Sequence, residues 1–132
     1  MKFSGIVKRN LGRGSEMGFP TANIEAPQDL EDGIYVGLAA VAVDQDVLMT
    51  MEALVFIGAS KTFGETDRKA EIYILGLDEV LKPEENLYDK EIVVETLKKL
   101  RDNKKFGSQE ELVVQMKVDE LEARKFFQGN PS

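Results

Sequence analysis

The chain has 132 residues, a net charge of −7 and a sequence pI near 4.7, and 42% of its residues are hydrophobic. This length and composition predict one globular domain with a single hydrophobic core. The acidic balance argues against nucleic acid as a partner, because phosphate backbones require a basic surface. No apolar run is long enough to cross a membrane.

The absence of cysteine and histidine restricts the chemistry that is open to this chain. With neither residue type present, disulfides, thiolate metal sites and histidine acid–base catalysis are all excluded. Proton transfer would therefore use Asp, Glu, Lys or Tyr. The chain enters a strand-like pattern directly after Met1, without an apolar leader, so we expect a cytoplasmic protein. We also expect a monomer.

Short apolar runs follow one another along most of the chain and are separated by turn-rich stretches. This pattern is typical of a β-barrel or β-sandwich and not of βαβ units. The residues Asp44, Gln45 and Asp46 suit a hairpin turn between two of the runs. The predicted strands cover residues 3–8, 34–43, 49–57, 70–75 and 91–97.

The C-terminal part of the chain changes to a helical period. Ser108 and Glu111 have the spacing of a capping box, so we expect a helix over residues 109–127 that packs on the barrel. Residues 128–132 are predicted to be a frayed tail. The apolar stripe of the predicted helix consists of Leu112, Met116, Ala123 and Phe127.

A glycine-rich segment near the N-terminus carries the clearest functional signal. Its three glycines allow a close approach of backbone N–H groups to phosphate oxygens. The hydroxyl and amide oxygens that follow a proline suit Mg²⁺, which prefers oxygen ligands. Neither a P-loop nor a dinucleotide fingerprint is present, so a plain turn stays an alternative on local chemistry alone. The residues concerned are Gly12, Gly14, Gly18, Pro20, Thr21 and Asn23.

The same segment resembles the opening of riboflavin kinases. The pattern Phe-Ser-Gly-Ile-Val at residues 3–7 is followed by Gly-Arg-Gly at 12–14 and by Gly-Phe-Pro-Thr-Ala-Asn at 18–23. Further landmarks occur in the order of that family, and the resemblance covers nearly the whole chain, from residue 3 to residue 127. These landmarks are Asp32-Gly33-Ile34-Tyr35, Ile57-Gly58, Thr62-Phe63-Gly64, Ala70-Glu71-Ile72, Leu87-Tyr88, Leu100-Arg101 and Lys105-Phe106.

The resemblance implies a fold and an activity. The fold would be a closed Greek-key antiparallel β-barrel of about six strands with a C-terminal helix, as one domain over residues 1–132 without an adenylyltransferase partner domain. The activity would be transfer of phosphate from ATP to the 5′-hydroxyl of riboflavin, giving FMN and ADP. Thr21 and Asn23 would hold Mg²⁺ or another divalent cation. The nucleotide would contact Gly12, Arg13, Gly14, Gly18, Pro20, Thr21 and Asn23.

The resemblance also implies which residue is the catalytic base and which residues contact the flavin. Glu71 matches the family's catalytic glutamate, in an otherwise apolar strand where the alternative is a plain exposed glutamate. Arg101 and Phe106 fall in the flavin-side segment, although Phe106 fits a core position equally well. Arg13 could contact phosphate or an acidic neighbour.

Several positions depart from the family pattern. Ser60 and Lys61 replace an Asn-Pro pair, and Tyr73 stands where the family has histidine. These changes lie on the flavin side, while the nucleotide side keeps its motif. They leave two alternatives open, a barrel that binds flavin or nucleotide without catalysis and a kinase for another small alcohol.

Overall fold

A computed structural model describes residues 1–8, 22–43, 47–59, 68–76 and 89–129 of the chain. Five of its strands and its helix confirm the elements predicted from the sequence, whereas the second strand was not predicted. Within the described residues, no helix is both long and apolar enough to cross a membrane. The elements are β1 (Lys2–Ile6), β2 (Ala22–Ile24), β3 (Gly33–Val43), β4 (Val47–Gly58), β5 (Lys69–Ile74), β6 (Glu91–Arg101) and α1 (Gln109–Gln128).

The six strands form one antiparallel sheet that curls into a nearly closed barrel. The strand order is β1-β6-β3-β4-β5-β2. Strands β3, β4 and β5 form a meander and β6 returns beside β3, which is a Greek key. The two edge strands meet where the Lys8 N–H donates to the Asn23 carbonyl oxygen at 2.8 Å. The predicted barrel is therefore confirmed.

Side-chain alternation along the strands separates the barrel interior from its outer face. In β5, Ala70, Ile72 and Ile74 are buried inside, while the intervening residues are half-buried on the outside. Period-two alternation of this kind is what a strand with one buried face requires. The largest fully buried interior side chains are Val7, Ile24, Val41, Val55, Ile57, Ile72, Ile92 and Val94.

The C-terminal helix begins at the predicted cap. The Glu111 N–H donates to the Ser108 hydroxyl at 3.2 Å, which satisfies one of the helix's free N–H groups. The Glu111 carboxylate accepts from the Gly107 N–H at 2.9 Å, one residue earlier than an ideal capping box would place it. The predicted hairpin turn at residues 44–46 lies outside the described residues, although β3 and β4 pair up to Val43 and Val47.

Helix α1 packs against the outer face of the sheet and forms a second, smaller core. From the predicted stripe, Met116 and Ala123 are buried, while Leu112 and Phe127 are half-buried. The helix therefore covers only part of the outer face, and the part beside it is where the predicted base lies. The buried members of this second core are Ile34, Val36, Leu54, Leu75 and Ala123.

Candidate functional site

The predicted metal ligand and the predicted base are direct neighbours across two strands. Asn23 on β2 pairs with Glu71 on β5 in the antiparallel register. Opposite residues of an antiparallel pair point to the same face, with Cβ atoms about 4.5–5.5 Å apart. The fold therefore brings together two residues that are 48 positions apart in the sequence.

Asn23 is a buried polar residue with an unusual environment. It is 5% exposed, and its Oδ1 atom has no hydrogen-bond partner among the described residues. A buried carbonyl oxygen without a partner is costly to the folded state. An oxygen-seeking divalent cation would provide the missing interaction, so this side chain fits the predicted role. Thr21, the second predicted metal ligand, lies outside the described residues.

Glu71 is half-buried on the outer face of β5. Its side chain is 24% exposed, and its Oε1 atom lies 3.4 Å from the ammonium nitrogen of Lys69. Its register partner on the neighbouring strand β4 is Phe56, so an aromatic residue lies beside Glu71 on the same face of the sheet. A carboxylate that is both accessible and held beside apolar surface suits a general base.

The start of β5 is fixed by an arginine that precedes it. The Arg68 guanidinium pairs with the Asp32 carboxylate and donates to the carbonyl oxygens of Pro27, at 2.8 Å, and Leu30. A planar guanidinium with several partners holds backbone in one geometry. These contacts attach the loop before β3 to the strand that carries Glu71.

Arg101, predicted to contact flavin, lies on the same face but three strands away from Glu71, which is about 14 Å at the usual strand spacing. Its Nε and Nη2 atoms donate to the two carboxylate oxygens of Asp119 at 2.8 and 2.7 Å. Its Nη1 atom donates to the Asp102 carbonyl oxygen at 3.1 Å. Its guanidinium therefore already joins β6, the following loop and the helix.

Phe106, the other predicted flavin contact, is 9% exposed. Its ring centroid lies 5.9 Å from the Arg101 guanidinium carbon and 5.4 Å from the Lys104 ammonium nitrogen. Both distances fall within the range of cation–π contacts. In this structure the ring supports Arg101, and the flavin roles of both residues stay predictions.

Sequence reasoning missed two polar contacts between the helix and the sheet. The first contact is that of Asp119 with Arg101; Asp119 is 2% exposed and also accepts from Gln115 Nε2 at 3.1 Å. Its position, three residues after Met116 of the apolar stripe, was the sequence signal that could have revealed this contact. The second contact, from the Tyr73 hydroxyl to Glu120 Oε1 at 2.8 Å, has no sequence pattern of its own.

Other predicted site residues lie outside the described part of the chain. Within the described ranges, no group of three or more His, Cys, Asp or Glu side chains could hold a metal ion. The predicted site residues outside the described ranges are Gly12, Arg13, Gly14, Gly18, Pro20 and Thr21. The altered positions Ser60 and Lys61 also lie outside these ranges.

Comparisons with known proteins identify the family of the chain. The family model described as riboflavin kinase matches residues 1–127. Human riboflavin kinase is 33% identical over 128 residues, which cover 92% of this chain and 77% of the human protein. The bifunctional riboflavin kinase/FMN adenylyltransferase of Escherichia coli is 31% identical, with 94% of this chain and 37% of that protein covered.

Two further similarities extend over most of the chain. The trifunctional protein RibF/MnmA of Mycoplasmoides gallisepticum is 36% identical over 93% of this chain, which spans only 18% of that protein. A crystal structure of a protein named macrolide-efflux protein, from Streptococcus pneumoniae, superposes with a TM-score of 0.70 at 28% identity and covers 93% of this chain and 38% of its own. By its family match and its similarity to the human enzyme, the chain belongs to the riboflavin kinase family.

Proposed function

We propose that this chain transfers the γ-phosphoryl group of ATP to the 5′-hydroxyl of riboflavin, forming FMN and ADP. The pairing of Asn23 with Glu71 across β2 and β5 carries this proposal. It places a buried amide oxygen, without a hydrogen-bond partner among the described residues, beside a half-buried carboxylate, which suits transfer from a metal-bound nucleotide to an alcohol.

Glu71 is the proposed general base. The ribityl 5′-oxygen attacks the γ-phosphorus, and the bond from that phosphorus to the β–γ bridging oxygen breaks, so that ADP leaves. The hydroxyl proton passes to the Glu71 carboxylate as the new oxygen–phosphorus bond forms. Phosphoryl transfer needs little other covalent chemistry from the protein, so positioning of the two substrates dominates catalysis.

Asn23, together with Thr21, would hold the divalent cation, which would neutralise phosphate charge. Because Asn23 is buried at the edge of the sheet, its amide has little freedom to turn away from this position. The glycines at 12, 14 and 18 and Arg13 and Pro20 would contact the nucleotide. The monomeric state, the cytoplasmic location and the absence of nucleic-acid partners stay predictions.

An FMN-formation assay tests the proposal. Purified protein is incubated with riboflavin and MgATP, and the flavins are separated by chromatography. We expect FMN and ADP in equal amounts, with no FMN when the divalent cation is chelated. Flavin or ADP binding without FMN would favour the non-catalytic barrel, and phosphorylation only of other small alcohols would favour a different kinase.

A further inference from the structure

Two consecutive acidic residues attach α1 to strands on opposite sides of the sheet's outer face. Asp119 binds Arg101 on β6, and Glu120 accepts from Tyr73 on β5. Neighbouring helix positions point about 100° apart, so the two side chains reach in different directions. Strands β3 and β4 lie between the two contacts, and Ala123 packs above them.

The two contacts differ in burial and strength. The Asp119 carboxylate is 3% exposed and makes two charge-assisted bonds to one guanidinium. The Glu120 side chain is 24% exposed, receives one bond from a neutral phenol and lies 3.6 Å from Arg124. The Arg101 contact is therefore the stronger attachment of the helix to the barrel. The Tyr73 contact is the weaker one and holds the side of the helix that lies towards β5.

The β5 contact lies next to the proposed base. Tyr73 follows Glu71 by two residues on the same face, about 6.6 Å further along the strand. Phe126 and Phe127, whose rings meet edge to face at 5.3 Å, are half-buried against the same cluster as Phe56 and Tyr73. The last turns of α1 therefore add aromatic surface to a cluster that contains Phe56, the neighbour of Glu71 on β4.

We propose that the Tyr73–Glu120 hydrogen bond positions this aromatic edge of α1 beside Glu71 and so sets the affinity for the planar, aromatic acceptor substrate. Asn23, the described residue of the predicted nucleotide site, lies on β2, and Phe56 lies on the other side of Glu71, on β4, so nucleotide affinity should not depend on this bond. Tyr73 is thus a positioning residue. This inference rests on the proposed function.

Three variants test the bond. Tyr73→Phe removes only the hydroxyl, Glu120→Ala removes the acceptor, and Glu120→Gln keeps an oxygen that the phenol can donate to. We expect the first two to raise the KM for riboflavin at least about fivefold, with kcat and the KM for ATP within about twofold of wild type. Glu120→Gln should restore a KM near wild type.

A matched control and a double variant sharpen the test. Glu122→Ala removes an exposed carboxylate 3.8 Å from Lys125 and should leave the KM for riboflavin unchanged. Tyr73→Phe combined with Glu120→Ala should raise this KM no further than either change alone, because both remove the same bond.

Loss of thermal stability with an unchanged KM for riboflavin would overturn the inference, and so would equal changes in the KM for both substrates. Riboflavin binding, followed by quenching of flavin fluorescence, separates this result from the proposed function. If wild type binds riboflavin without forming FMN, the proposed kinase activity is wrong and Tyr73→Phe should still weaken binding. If wild type binds no riboflavin, both proposals are wrong.

Discussion

At the scale of single residues, the burial of Asn23 is the most informative observation. The family motif assigns this residue to the cation, and the structure adds that its amide oxygen is buried without a partner among the described residues. A residue kept for structural reasons would normally have its polar atoms satisfied. We therefore predict that the side chain is a cation ligand and not a structural asparagine.

We expect Asn23→Ala to weaken MgADP binding at least about tenfold without lowering the melting temperature. The variant removes a buried oxygen that has no hydrogen-bond partner in the described part of the chain, and this offsets the packing lost with the amide. Calorimetric titration with MgADP and thermal unfolding measure the two effects. Glu25→Gln, an exposed change on the residues after β2, is the control. A lower melting temperature with unchanged MgADP affinity would show that Asn23 is structural.

At the scale of secondary structure elements, the sequence predicts the long elements well and the contacts between them poorly. The apolar runs indicated β1 and β3 to β6, and the capping residues indicated where α1 begins. Strand β2 has three residues, too few for a period-two pattern, and exists because it pairs with β5. The Tyr73–Glu120 contact depends on which strand the helix crosses, which local sequence does not determine.

The buried ion pair of α1 gives a stability prediction. Asp119→Ala should lower the free energy of unfolding by about 3–5 kcal/mol, because it leaves the Arg101 charge without its partner in a largely buried site. Urea denaturation measures the change. The double variant Arg101→Met with Asp119→Leu should recover most of the loss, since no unpaired charge is left.

The control for this prediction is Glu122→Ala, which breaks an exposed pair on the same helix and should cost less than about 1 kcal/mol. If Asp119→Ala were no more destabilising than this control, the pair would not be what docks the helix.

At the scale of the whole molecule, the candidate site lies at the seam of the barrel. Strands β3 and β4, of 11 and 12 residues, form its most extensive pairing. The barrel closes on the other side through short β2 and the bridge between Lys8 and Asn23. The candidate site therefore combines the buried Asn23 on the closing strand with the half-buried Glu71 on the strand beside it.

A group of charge pairs around Lys99 should make stability depend on pH. The Lys99 ammonium lies 2.6 Å from Asp102 and also pairs with Glu31 on the loop before β3. Its hydrogen bond and charge lower the pKa of Asp102 below its usual value. A lowered folded-state pKa gives stability above the unfolded pKa, about 3.9, which is lost as pH falls through the folded value.

Asp102→Asn should therefore lower the melting temperature at pH 7 by a small amount, about 1–3 °C, because the pair is exposed and screened. The gap between the two proteins should close near pH 2, and it should be absent at every pH in a Lys99→Gln background. Thermal unfolding followed by circular dichroism measures it. A gap that stays constant across this pH range would contradict the assignment.

The central claim is that Glu71, paired with Asn23 across β2 and β5 beside the barrel seam, is the base of a riboflavin kinase. Steady-state kinetics of Glu71→Gln with riboflavin and MgATP test it most directly. The variant keeps size and hydrogen bonding but cannot accept the proton. We predict a kcat at least about 100-fold lower, with riboflavin and MgADP affinities nearly unchanged. Glu52→Gln, an exposed change on β4, should keep wild-type kcat. A Glu71→Gln protein with wild-type kcat would contradict the account.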